Sequence, residues 1–212
     1  MEAATTQATA SAPLTMTEEE YLAAEKRSLT KSEWRAGRVV AMSGGSPRHN
    51  VIALNIGSAL KIALRGRRCI VLPSDQRVHI AATSTYTYPD VTVTCERPTF
   101  HAKDKDSLTN PKVIVEVLSK STEAYDRGKK FAYYRSIPSF MEYVIVEQLE
   151  RRVEHWQRLE SGQWLVTTVE GDGVLSLPIL DCRIALSDIY ADLDLLEEAP
   201  ESPAPPSTVT SV

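Results

Sequence analysis

Two carboxylates stand where apolar residues are expected. Glu116 is the one polar residue of Val113-Ile114-Val115-Glu116-Val117-Leu118, and Asp90 follows Tyr88-Pro89 at the head of Val91-Thr92-Val93. Both runs are β-branched and read as buried strands. An ionised carboxylate in such a run costs on the order of several kcal/mol unless a partner or a metal compensates it. Acids at two neighbouring strand ends suit a hard divalent cation such as Mg²⁺, which takes oxygen ligands and keeps several waters. That cation can activate water against a phosphodiester. The competing reading is a structural ion pair in which a buried Lys or Arg answers Glu116.

A third residue bears on the choice. Lys130 and Tyr134 are four apart in Asp126-Arg127-Gly128-Lys129-Lys130-Phe131-Ala132-Tyr133-Tyr134 and share one face of a predicted helix. A short loop, Ser119 to Glu123, joins that helix to the Glu116 strand, so its inner face lies over the same end of the sheet. A lysine there can orient an attacking water or stabilise transition-state charge. The plainer alternative is that Lys130 snorkels to solvent while Phe131 and Tyr134 pack.

The elements that must position these residues follow from pattern. Thr17-Glu18-Glu19-Glu20 is a capping box ahead of a short helix. Ser32 to Met42 reads as a strand pair or bent strand turning at Ala36-Gly37, and Ser43 to Pro47 as a loop. A long amphipathic helix is expected from His49 to about Arg65-Gly66. Cys69–Leu72, Arg77–Ile80, Asp90–Thr94 and Val113–Leu118 are predicted strands, with a polar loop from His101 to Pro111 before the last. Thr122–Arg135 reads as a helix. Strands at Tyr143–Val146, Arg152–Arg158 and Trp164–Val169 follow, the last two as a hairpin through Ser161-Gly162. Ser187-Asp188 caps a final helix to about Leu195. The fold class is α/β (α+β), with a mixed central β-sheet flanked by helices.

As a set, Glu33-Trp34-Arg35-Ala36-Gly37-Arg38-Val39-Val40, His49-Asn50, Tyr88-Pro89-Asp90-Val91, Val115-Glu116-Val117-Leu118-Ser119, Asp126-Arg127-Gly128-Lys129-Lys130 and Met141-Glu142-Tyr143 resemble the motifs of a known family. It is the putative restriction endonuclease family (Uma2-like) of the PD-(D/E)xK nuclease superfamily, and the likeness spans about Thr15 to Asp194. The resemblance implies a restriction-endonuclease-like core and a Mg²⁺-dependent endonuclease hydrolysing DNA, with Mn²⁺ as a substitute metal. Asp90 and Glu116 would hold the metal, and Lys130 would complete the catalytic set. Glu33 would either support the metal shell or be a surface residue of its strand. The superfamily lysine, two residues after the glutamate, falls on Leu118; this family's motif fits Lys130 instead, with Lys129 as the fallback. Substrate contacts would fall to His49, Ser119, Lys129 and Tyr134, although His49 and Ser119 also suit cap and turn roles. A homodimer is the assembly that cutting both strands of a duplex would require. Two rivals stand beside this reading: a catalytically inactive nucleic-acid-binding module on the same fold, and an assembly protein whose acids form internal ion pairs. Whether Lys130 reaches the Asp90–Glu116 pair separates the first rival from the enzyme.

Composition sets the bounds. The 212 residues, 42% hydrophobic, can bury one sizeable core. The expected division is a folded unit over 15–196 between a disordered tail over 1–14 and an acidic, Pro-rich disordered tail over 197–212. A net charge of −4 does not advertise a nucleic-acid binder. A phosphate-binding face would need local clusters, such as Lys61, Arg65, Arg67 and Arg68 or Arg127, Lys129 and Lys130, and both also read as solvated helix faces. Trp34, Trp156 and Trp164 are expected to pack, not to stack on bases. The three cysteines, Cys69, Cys95 and Cys182, make no metal-binding spacing and are expected as buried free thiols of a cytoplasmic protein. No apolar run is long enough to span a membrane, and no signal peptide is evident.

Overall fold

The computed structural model describes residues 14–119 and 122–196, so both expected tails, save Leu14, lie outside the described residues. Helix α1 (Glu18–Glu25) starts at the capping box, with Thr17 Oγ1 accepting from Glu20 N at 3.2 Å and Glu20 Oε2 accepting from Thr17 N at 2.8 Å. Strands β1 (Ser32–Arg35) and β2 (Arg38–Ala41) form the expected hairpin, where Ala36 and Gly37 take φ of 48° and 95°. Helix α2 (Pro47–Ala63) starts two residues before His49, because Ser46 caps it and Pro47 suits its first turn. No described helix is long and apolar enough to cross a membrane.

Of the fourteen described strands, twelve form two six-stranded mixed sheets. The first contains β1, β2, β4 (Arg77–Ile80), β5 (Thr85–Thr87), β7 (Phe100–His101) and β8 (Asp104–Leu108), in the order β2-β1-β5-β4-β8-β7. The second contains β3 (Cys69–Pro73), β6 (Val91–Cys95), β9 (Val113–Val117), β10 (Glu142–Val146), β11 (Arg152–Arg158) and β12 (Trp164–Glu170), in the order β12-β11-β10-β9-β6-β3. The chain crosses from the first sheet to the second between β5 and β6, at Tyr88-Pro89-Asp90. Proline has no N–H for a ladder, so it suits a point where pairing is broken.

Both faces of the second sheet are covered, which explains why β9 is buried throughout. Val113, Val115 and Val117 face Ile52, Ile56 and Leu60 of α2, which recur at i, i+4 and i+8. Ile114 and Leu118 face the other way, onto Phe131, Tyr134 and Tyr143. Period-two alternation therefore sends Glu116 to this second face, beneath the segment that carries Lys130.

Four expectations need correction. The segment from His101 to Pro111 is not a loop: β7 and β8 lie there, because Asp104 and Ser107 point inward to satisfy the buried Arg77 guanidinium. Cys69 and Cys95 are not free thiols but a disulfide, since the antiparallel β3–β6 register sets them opposite one another; Cys182 is free and buried. The expected helix after Ser119 is interrupted: α3 (Glu123–Tyr125) and α4 (Phe131–Tyr134) flank a π-turn at Asp126–Lys130. The last helix is only α5 (Leu186–Ile189), with Ala185 at its N-cap, because Asp192 takes a φ of 62° and ends the helical path before the 3₁₀ turn at Leu193–Leu196. Ahead of α5, β13 (Val174–Leu177) and β14 (Cys182–Ala185) make a hairpin that pattern reading did not mark.

Candidate active site

Asp90 and Glu116 meet because of strand register. Val91 pairs with Val115 across β6 and β9, and one step further along the ladder brings Asp90 level with Glu116. Asp90 Oδ2 accepts from Val117 N at 2.7 Å, replacing a ladder bond that its own strand end does not supply. His49, in the first turn of α2, places Nε2 3.2 Å from the same oxygen. That contact raises the His49 pKa against the opposing effect of burial. Gly45 permits it: a Cβ there would lie 2.5 Å from His49 Nδ1 and 2.8 Å from Asn50 Oδ1.

Lys130 reaches the pair. Its Nζ lies 2.7 Å from Glu116 Oε1, 3.3 Å from Asp126 Oδ1 and 3.8 Å from Glu33 Oε1, and the side chain is only 7% exposed. The π-turn puts Asp126 and Lys130 on the same inward side, and such one-turn bulges are frequent at functional sites. Tyr134 is fully buried, and its hydroxyl donates to Glu116 Oε1 at 2.8 Å. Thr87 bridges to the first sheet, donating to Glu33 Oε1 at 2.5 Å and standing 3.3 Å from the Tyr134 hydroxyl. Arg35 closes the far side, with Nη2 2.5 Å from Glu33 Oε2 and its guanidinium stacked 3.8 Å over the Tyr125 ring.

The electrostatics are lopsided. Glu33, Asp90, Glu116 and Asp126 bring four carboxylates to a cluster whose permanent cations are Lys130 and Arg35. Burial, and then Asp126 and Asp90, hold the Glu116 carboxyl well above its usual pKa even with Lys130 beside it. Burial alone would push Lys130 down, but Glu116, Glu33 and Asp126 outweigh it and hold the ammonium well above its usual value. Glu33 goes the other way, because Lys130 and Arg35 overcome its burial and lower its pKa. These groups border a cleft of about 900 Å³, open to solvent, whose walls include His49, Asp90, Glu116, Ser119, Asp126 and Lys130.

The sequence-derived candidates thus separate. Asp90, Glu116, Lys130 and His49 converge, and Glu33 joins them through Lys130 and Thr87 as a buried residue, not a surface one. Ser119 borders the cleft and its hydroxyl lies 2.9 Å from that of Thr122. Two substrate-contact candidates are displaced. Tyr134 is sealed beneath Glu116, and Lys129 is exposed with its ammonium 5.9 Å above the Tyr133 ring, away from the cleft wall. Asp126 and Thr87 join the cluster without being sequence-derived candidates. The i,i+4 spacing of Asp126 and Lys130 was the available signal for the first, whereas Thr87 gives none, since its role depends on the first sheet's register.

Comparison with known proteins places the chain in context. The sequence model of a family described as Uma2, putative restriction endonuclease, matches residues 18–187. An uncharacterized protein of Synechocystis sp. is 38% identical over 157 residues, covering 74% of this chain and 89% of that protein. A second uncharacterized Synechocystis protein is 36% identical over 175 residues, covering 82% and 91%. The crystal structure of a putative nuclease belonging to DUF820 from Anabaena variabilis aligns with a TM-score of 0.68 at 15% identity, over 82% of this chain and 97% of that one. At that identity the likeness is one of fold.

Proposed function

Given that the chain belongs to the Uma2 family of putative restriction endonucleases, we propose that it is a Mg²⁺-dependent endonuclease acting on DNA phosphodiester bonds in this cleft. One observation carries the reading: a buried lysine sits within 2.7 Å of Glu116 in a cluster that still holds more carboxylates than cations. The surplus acid and the all-oxygen donor set fit a hard divalent cation held by Asp90 and Glu116, with Glu33 and Asp126 acting through Lys130. When bound, Mg²⁺ supplies a Lewis acid for a phosphoryl oxygen and lowers the pKa of a water.

The remaining steps belong to the chain. Val117 N–H and His49 fix Asp90 Oδ2 from two directions. Tyr134 and Lys130 fix Glu116 Oε1 in the same way. Lys130 keeps its proton, because three carboxylates raise its pKa. It therefore serves as a positive hydrogen-bond donor toward charge developing on the phosphate and not as the base. Leu118, at the usual lysine position, packs with Phe131 and Tyr134, and the ammonium arrives from the following helical segment instead. The contact between Lys130 and Glu116 favours an enzyme over an inactive module on the same fold. Supercoiled plasmid with Mg²⁺ or Mn²⁺ tests this: the wild type should nick it, and Asp90→Asn combined with Glu116→Gln should not. A wild type inert on DNA, or a double variant that cuts as well as its parent, would overturn the proposal.

A further inference from the structure

The opposite face of the first sheet carries a second group of polar side chains that the proposed nuclease site does not use. On β1 and β5, Glu33 and Thr87 point to the cleft side, while Trp34 and Tyr86 alternate to the other face, under α1. His79 of β4 is paired with Tyr86 and shares that face. His101 of β7 lies beside it, with the two imidazole centroids 4.1 Å apart. Glu18, in the first turn of α1, descends onto them.

The arrangement resembles a coordination set more than a finished hydrogen-bond network. His79 is 93% buried by its 7% exposure, yet its Nδ1 has no hydrogen-bond partner among the described residues. Its Nε2 is 4.0 Å from Glu18 Oε1, beyond hydrogen-bond reach. Glu18, His79 and His101 each offer one ligand atom within 4.8 Å of the others. Ligands about 2 Å from one zinc ion stand at most about 4 Å apart, so a contraction of about an ångström completes the set. Glu18 can supply it, being a partly exposed side chain at a helix end. The Tyr86 hydroxyl donates to Glu18 Oε1 at 2.9 Å and lies 3.1 Å from His101 Nδ1, as an outer partner that orients metal ligands does. Lys103 binds the other Glu18 oxygen, Oε2, at 2.8 Å.

We propose that Glu18, His79 and His101 bind one zinc-class transition-metal ion, separate from the Asp90–Glu116 site, and so fasten α1 to the first sheet. Two imidazoles and one carboxylate are donors for Zn²⁺ or Co²⁺, unlike the all-oxygen set of the cleft. Three protein ligands leave a fourth position for water.

Co²⁺ is the probe, because four-coordinate Co²⁺ absorbs visibly. The full chain, stripped with chelator, should take up one equivalent with that absorption, and Co²⁺ or Zn²⁺ should raise its melting temperature. Asp90→Asn combined with Glu116→Gln should retain both responses. His101→Ala and Glu18→Gln, which change partly exposed residues and avoid the buried His79, should lose the absorption and the shift. Tyr86→Phe should weaken binding by about tenfold. No absorption in the wild type, or an unchanged band in His101→Ala, would overturn the proposal and leave these residues as a hydrogen-bonded packing cluster.

Discussion

At the residue scale, the cluster is defined by what each group leaves uncompensated. Lys130 answers three carboxylates at once, so removing its charge strands them together. Breaking a buried pair by deleting one partner costs roughly 3–5 kcal/mol. Lys130→Met keeps most of the apolar stem, and urea unfolding of the metal-free variant should show a loss of about 3 kcal/mol or more. Mn²⁺ should restore part of that loss, because it neutralises the same acids. A variant as stable as the wild type would mean that the acids are not clustered. The sequence disclosed Asp90 and Glu116 because charge is conspicuous inside β-branched runs. It did not disclose that Tyr134 is buried, because a tyrosine at helical spacing fits equally a cleft wall or a core. The true surroundings of Glu33 were equally hidden. Its burial depends on Thr87, a strand away in the first sheet.

At the element scale, two local devices aim the side chains. The π-turn at Asp126–Lys130 rotates both residues inward, which a regular helix inferred from pattern could not show. Gly45 is the other. Its loop runs so close to His49 that a methyl group would collide with the ring. Gly45→Ala should push His49 off Asp90 and slow plasmid cleavage by on the order of a hundredfold, the scale of an ångström-level misplacement. The thermal midpoint should change little, since the loop is exposed, and Gly44→Ala, with open space at its Cβ, should be silent in both assays. Equal rates for both variants would exclude a role for the His49–Asp90 contact. The strands and helices with strong periodicity were legible in the sequence, among them α2 and β9. The β7–β8 hairpin was not, because Lys103, Asp104, Lys105 and Asp106 spell a loop unless the buried Arg77 is known to need Asp104.

At the scale of the whole molecule, the site lies at the junction of two sheets. The first sheet supplies Glu33 and Thr87, the second supplies Asp90 and Glu116, and the π-turn supplies Lys130 and Asp126. The Tyr88-Pro89-Asp90 crossover ties the sheets together where the chemistry is proposed. Two of the basic residues that composition suggested for phosphate binding are engaged by other groups: Arg127 by Glu123, Glu147 and Glu154, and Arg67 by Leu180 O and Asp181. An acidic cleft in a chain of net charge −4 gives a polyanion little welcome until a cation binds. Cation binding at Asp90 and Glu116 is therefore what the proposed activity requires first. The most direct measurement is calorimetric titration of Mg²⁺ into the wild type and into the Asp90→Asn, Glu116→Gln double variant, at two pH values. Glu116 is held above its usual pKa, so it gains a proton sooner than an ordinary glutamate as pH falls. Mg²⁺ must displace that proton, so affinity should weaken at the lower pH and binding should release protons. The wild type should show a saturable Mg²⁺ site with this pH dependence, and the double variant none. Identical isotherms for the two proteins, or no binding by the wild type, would contradict the proposal.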